Sequence, residues 1–229
     1  MTWSGSSSTA QASAPVVRAI LWDNDGVLVE TEQLYFEANQ QVLGTVGISL
    51  TEEQYIEFFL VQARGAWHLL EEQGVPQIEI DRLRDERNTL YARWLLEAPR
   101  VIPGIADVLQ ALQGTYVMGV VTSSRKDHFD LIHRSTGLLK YFDFVLTADD
   151  YSRVKPDPEP YLRAIEKSGV GPDACVAIED STRGLESATR AGIRCIVVPT
   201  PLTQGCRFAG AHRVLGSASE IPGVLTSRR

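Results

Sequence analysis

Cysteine is scarce. The chain has three, Cys175, Cys195 and Cys206. Three cannot all pair and their spacing fits no zinc pattern, so free thiols in a reducing cytoplasm are expected. Long apolar runs are missing too: none approaches the ~18 residues that a membrane span needs. Residues 1–15 (MTWSGSSSTAQASAP) have neither a basic start nor an apolar stretch, so they are not a secretory signal and read as a disordered tail. Positive charge is short as well. Lys and Arg number 22 against 29 Asp and Glu, a formal net charge of −7, with no basic cluster. Such a chain gains little from nucleic-acid phosphates, so neither a nucleic-acid nor a membrane partner is expected.

The 229 residues suffice for a core domain with a smaller inserted unit. Residues 16–22 (VVRAILW) form a short, β-branched apolar run that stops at an acidic cluster, the pattern of a buried parallel strand. Similar runs recur at 116–121, 142–146, 174–178 and 194–198, with a weaker one at 211–215. Between them, 105–113, 126–136, 158–168 and 183–191 have apolar residues at helical spacing. Alternating strands and helices predict an α/β fold with a Rossmann-like parallel sheet. The alternation breaks at 31–98, where 34–43, 51–60, 66–73 and 81–96 all read as helices and Thr51 with Gln54 forms a capping-box pattern. The expected organisation is a tail at 1–15, an α/β core at 16–30 and 99–229, and an inserted helical unit at 31–98.

Four short pieces lie at the carboxyl ends of the expected strands, the edge where ligands of open α/β sheets bind. Asp23-Asn24-Asp25-Gly26 places two carboxylates in one loop, so one can attack while the other moves a proton. Asp-x-Asp-Gly also marks calcium loops and plain turns, but the apolar Val27, Leu28 and Val29 that follow do not suit a calcium loop. Thr122-Ser123-Ser124 offers a hydroxyl and backbone N–H groups for a phosphate, or a helix cap. Lys155-Pro156 offers a cation for a transferring phosphoryl group, or is a solvated loop. Glu179-Asp180-Ser181 offers hard oxygen ligands for Mg²⁺, or caps the next helix.

Together, in this order, the four pieces resemble the haloacid dehalogenase superfamily, over about Val16 to Leu225, with Pro103-Gly104-Ile105 as a further similarity. The resemblance implies that Asp23 attacks phosphorus and that Asp25 protonates the leaving group and then activates the acceptor. Mg²⁺ is expected among Asp23, the Asp25 backbone carbonyl, Asp180 and Glu179. Thr122, Ser123 and Lys155 are expected to hold the phosphoryl oxygens. An acid at Asp25 speaks for phosphoryl chemistry rather than dehalogenation. The helical insert resembles the cap of the β-phosphoglucomutase and phosphoglycolate phosphatase branch, with Thr31 at the hinge.

The resemblance leaves two activities. A phosphatase passes the phosphoryl group to water and a sugar phosphomutase passes it to a sugar hydroxyl. The mutase branch has a cap histidine after the hinge; here Tyr35 stands there, and the first histidine of the chain is His68. The expectation is therefore a Mg²⁺-dependent phosphatase of a small phosphorylated metabolite, sugar phosphates before phosphoglycolate-like acids. Tyr35, Arg64 (as a distal-phosphate arginine) and Lys126 are candidate substrate residues. A non-catalytic relative is disfavoured, because Asp23, Asp25, Thr122, Lys155 and Asp180 are all present. Asn24 should point away from its flanking aspartates and Trp22 should pack in the core. Tyr55, Trp67, Tyr91 and Trp94 are expected in the insert's own core, and His128, His133 and His212 as ordinary histidines. A cytoplasmic monomer or small homo-oligomer completes the reading.

Overall fold

The structure is a computed structural model that describes residues 16–97 and 100–226; the expected tail at 1–15 lies outside the described residues. The chain enters on β1 (Ala19–Trp22) and forms a short ribbon strand, β2 (Val29–Glu30). It then runs through α1 (Glu32–Gly44), α2 (Glu52–Tyr55), α3 (His68–Glu71) and α4 (Gln77–Glu97). It returns on β3 (Arg100–Val101), which pairs antiparallel with β2. The remainder alternates: α5 (Ile105–Leu112), β4 (Val117–Val121), α6 (Lys126–His133), β5 (Phe144–Leu146) and α7 (Glu159–Ser168). Then come β6 (Cys175–Glu179), α8 (Thr182–Arg190), β7 (Arg194–Val197), β8 (Arg213–Val214) and α9 (Ile221–Thr226).

Six strands form one sheet in the order β5-β4-β1-β6-β7-β8, every pairing parallel. Leu21 lies between Gly119 and Ala177, and Trp22 between Val120 and Ile178. The chain departs from β1 to one side for β4 and to the other for β6. The order therefore reverses at the carboxyl end of β1, the switch point at which ligands of such sheets bind. All four β1 residues are fully buried, which explains why this strand shows no polar alternation.

Some elements depart from the sequence expectation. The run 51–60 is not one α-helix. After the Thr51–Gln54 capping box and α2, residues Ile56–Val61 wind as a π-helix, whose single extra residue per turn leaves the apolar pattern nearly unchanged. The expected 66–73 helix shrinks to α3, and α4 starts earlier than 81 because Pro76 just precedes it and suits a helix start. Tyr55, Trp67 and Tyr91 are buried, with Tyr55 stacked on Phe59 at 4.6 Å between centroids, and Trp94 is partly buried. The helical segment also rests on the sheet layer: α4 packs on α6, where Tyr91 meets His128 edge-on at 5.1 Å, and the π-helical turn packs on α8.

Leu21 is fully buried on the central strand. Leu21→Ala is expected to cost about 2–5 kcal/mol, read as a lowered urea midpoint at unchanged slope.

Candidate active site

Asp23 is the first residue past β1, and its N–H still bonds Ile178 O at 2.9 Å, so the sheet itself fixes its position. Its carboxylate is buried and accepts from Lys155 Nζ at 2.9 Å. The same ammonium donates to Glu179 Oε1 and to Val121 O, both at 2.7 Å, which uses all three of its protons. Lys155 is 1% exposed and Glu179 0%, so this is a fully desolvated ion cluster. Tyr161 OH donates to Glu179 Oε1 at 2.5 Å, while Glu179 Oε2 is buried with no hydrogen-bond partner among the described residues. Asp180 follows at 3% exposure.

One lysine cannot compensate three buried carboxylates. Burial, then Glu179, pushes the Asp23 pKa up to about 7 against the pull of Lys155. Burial, then Asp23 and Glu179, holds Asp180 well above the usual carboxylate range. Ligand atoms of Asp23, Glu179 and Asp180 lie within 4.8 Å of one another. An all-oxygen, anionic donor set with an unpartnered Glu179 oxygen fits a hard divalent cation such as Mg²⁺.

The backbone makes room for this cluster. Gly26 has φ +80°, and a Cβ there would run into the Asp180 carboxyl. A Cβ at Gly184 would overlap the Glu179 carboxyl. Ser181, not Asp180, caps α8, accepting from Gly184 N at 3.3 Å. The acidic pair is thereby left to the cluster.

Asp25 faces a different set of groups. Its carboxylate accepts from the Thr31 hydroxyl, from Ser124 Oγ at 2.6 Å and from Thr122 Oγ1 at 3.3 Å. Thr122 lies one residue past β4, and Ser123 Oγ is buried beside the Tyr151 hydroxyl. Asp23, Asp25, Thr122, Ser123, Lys155, Glu179 and Asp180 thus converge at one edge of the sheet, from the ends of β1, β4 and β6 and the loop before α7.

The three candidate substrate residues are not joined to this cluster. Lys126 is exposed and pairs with Asp130 at 2.7 Å. Arg64 is exposed, its guanidinium 4.9 Å from the Phe58 ring centroid. Tyr35 is enclosed by Phe59, Tyr91 and the Arg87 guanidinium, the last 4.5 Å from its ring.

Comparisons with known proteins bear on this geometry. A family model described as haloacid dehalogenase-like hydrolase matches residues 20–198. The chain belongs to the haloacid dehalogenase-like hydrolases. It is 31% identical to protein CbbY of Cereibacter sphaeroides, over 91% of this chain and 96% of that one. It is also 31% identical to a phosphorylated carbohydrates phosphatase of Thermotoga maritima, over 79% and 84%. Among solved structures, CbbY of Rhodobacter sphaeroides in complex with xylulose-(1,5)bisphosphate superposes with a TM-score of 0.75 at 28% identity, over 90% and 96%.

Several residues of this hydrolase gave no signal in the sequence. Arg87 is 7% exposed and bonds Asn39 Oδ1 at 2.8 Å and Asn88 Oδ1 at 3.1 Å. Among the described residues no carboxylate lies within ion-pair distance of it. Arg183, at the start of α8, is half-buried. Burial opposes its charge, but Glu32, Asp23, Tyr55 and Asp180 hold it on. Glu32 in turn accepts from Tyr55 OH, and burial raises its pKa against Arg183. Asn24 points away from both aspartates, as expected, and meets His133, whose Nε2 lies 2.7 Å from Asn24 Oδ1.

Burial lowers the His133 pKa from 6.5 to about 4. The unfolded chain therefore binds more protons than the folded one across that window, and acid favours unfolding there. Stability owed to neutral His133 is complete above pH 6.5 and is lost as pH falls to about 4. The urea midpoint of the parent should fall more steeply over this window than that of His133→Gln; parallel curves would contradict the shift.

Proposed function

We propose that the chain is a Mg²⁺-dependent phosphatase that takes the phosphoryl group of a small phosphorylated metabolite, a sugar phosphate first, onto Asp23. The observation that carries this reading is the separation of two carboxylates of one loop. Asp23 is packed against Lys155 in the buried acidic cluster, and Asp25 is turned to the hydroxyls of Thr31 and Ser124. One is placed for attack and the other for proton transfer.

In this reading an Asp23 oxygen attacks phosphorus in line with the ester oxygen. The P–O bond to the leaving group breaks as Asp25 gives that oxygen a proton. Asp25 then takes a proton from water, which attacks the aspartyl-phosphate, releases inorganic phosphate and restores Asp23. Lys155 offsets the charge of Asp23, and Thr122 with the Ser123 backbone N–H holds phosphoryl oxygens. Asp23, Glu179 and Asp180, with the Asp25 carbonyl, would hold Mg²⁺, which supplies the positive charge that lets an anionic phosphate approach an anionic carboxylate.

The helical segment 31–98 serves in this reading as a cap over the site. Its contacts with α6 and α8 support that role, as does the Thr31 bond to Asp25 at the point where the segment begins. Water rather than a sugar hydroxyl is the acceptor in this proposal, because Tyr35 occupies the position of the mutase histidine. Arg87, buried without a carboxylate partner, replaces Arg64 as the cap cation best suited to a second anionic group on the substrate.

Asp23→Asn should lower turnover of sugar phosphates by at least about 10³-fold with the fold intact, checked by phosphate release beside circular dichroism. Turnover at the parent rate would remove Asp23 as nucleophile. EDTA should abolish phosphate release and Mg²⁺ restore it, whereas chelator-resistant activity would contradict the assigned donor set.

A further inference from the structure

Asn24 is fully buried between the two aspartates. A polar side chain there has a cost, since its Nδ2 has no partner among the described residues, and an unsatisfied buried amide costs about 1–3 kcal/mol. Its Oδ1 lies 2.7 Å from His133 Nε2, at the last residue of α6. His133 Nδ1 lies 2.9 Å from Thr136 Oγ1, and that hydroxyl also accepts from Leu138 N at 3.3 Å. The simplest proton arrangement runs one way: Thr136 O–H donates to Nδ1, and the neutral imidazole donates from Nε2 to Asn24.

Asn24 is tied at its other end too. Its carbonyl accepts from Leu28 N at 2.8 Å and from Val27 N and Val29 N, both at 3.2 Å. Those three bonds close the turn that carries Asp25 and Gly26. Meanwhile Ser124, just before α6, holds the Asp25 carboxylate at 2.6 Å. The segment from Ser124 to His133 therefore grips the loop twice, by the acid's side chain above and by Asn24 below. Nothing in the proposed chemistry uses His133, yet it is 6% exposed and its ring packs on Phe129 at 4.4 Å.

We propose that Asn24 and His133 are a positioning pair that sets the Asp25 end of the loop for proton transfer to the leaving group. The inference rests on the phosphatase reading above. An apolar pair would leave no orphan amide, so the polar pair fits a role in alignment better than one in stability. Asp23 depends on it less, because the strand pairing to Ile178 and the Lys155 bond fix that residue independently.

The test uses two esters. p-Nitrophenyl phosphate has a leaving group that departs without a proton, and glycerol phosphate has one that needs it. Parent, Asn24→Leu/His133→Phe and His133→Gln are compared by kcat/KM on both esters with Mg²⁺, with thermal unfolding alongside. The double variant should lose at least about tenfold more on glycerol phosphate than on p-nitrophenyl phosphate. His133→Gln keeps a donor for Asn24 and should recover most of the loss. Both esters are read on the same sample, so their ratio does not depend on how much of a variant folds. A merely structural role would lower both rates together. A ratio within about twofold of an active parent's would overturn this inference alone. If the parent turns over neither ester, a sugar phosphate that it does hydrolyse replaces glycerol phosphate; a parent that released phosphate from none of them would overturn the phosphatase reading and this inference with it.

Discussion

Lys155 carries the positive charge that allows Asp23 and Glu179 to be buried side by side. Its ammonium is almost wholly out of water, and its third proton goes to Val121 O, so the carboxyl ends of β1, β4 and β6 are joined through one nitrogen. A buried charge is tolerated only when paired and fully hydrogen-bonded, and here the pairing is shared. The surplus belongs to the carboxylates. Asp180 and the second Glu179 oxygen have no lysine, and the glycines at 26 and 184 let the backbone approach them closely. The cluster is therefore built around a negative excess, which suits a hard divalent cation.

The sheet order explains why the charges meet where they do. β1 lies between β4 and β6, so the residues following all three strands face the same crevice. The helical segment leaves and re-enters through the β2–β3 ribbon immediately beside that crevice. Leu28 O accepts from Ile102 N at 3.0 Å, which ties the returning chain to the Asp25 turn.

The parallel core was legible because each buried strand is a compact apolar run that ends in a motif, and the order of those motifs is informative even where each alone is not. Lys155 gave no local signal, yet its place in that order was enough. Partnerships formed at long range were not legible. Arg87 meets Asn39 across 48 residues and His133 meets Asn24 across 109, and no periodicity records either contact. Arg64 is the sequence's candidate for a distal phosphate, but its guanidinium lies exposed over Phe58. The π-helical turn was hidden for another reason: the wider turn leaves the apolar pattern of Ile56–Val61 nearly that of an α-helix.

Asp25 differs from the other acids of the site in what holds it. Asp23 and Glu179 are held by the Lys155 ammonium, whose third proton goes to Val121 O, whereas Asp25 is held by hydroxyls of Thr31, Ser124 and Thr122. A hydroxyl bond to a carboxylate exchanges readily for one from a substrate oxygen or a water, because donor and acceptor types are the same. One of these hydroxyls sits where the helical segment begins, and the other two sit on the β4 loop. Asp25 is thus held from both the helical segment and the β4 loop, while Asp23 is held by the sheet and by Lys155. Under the proposed phosphatase reading, that division lets a closing cap leave the nucleophile Asp23 in place.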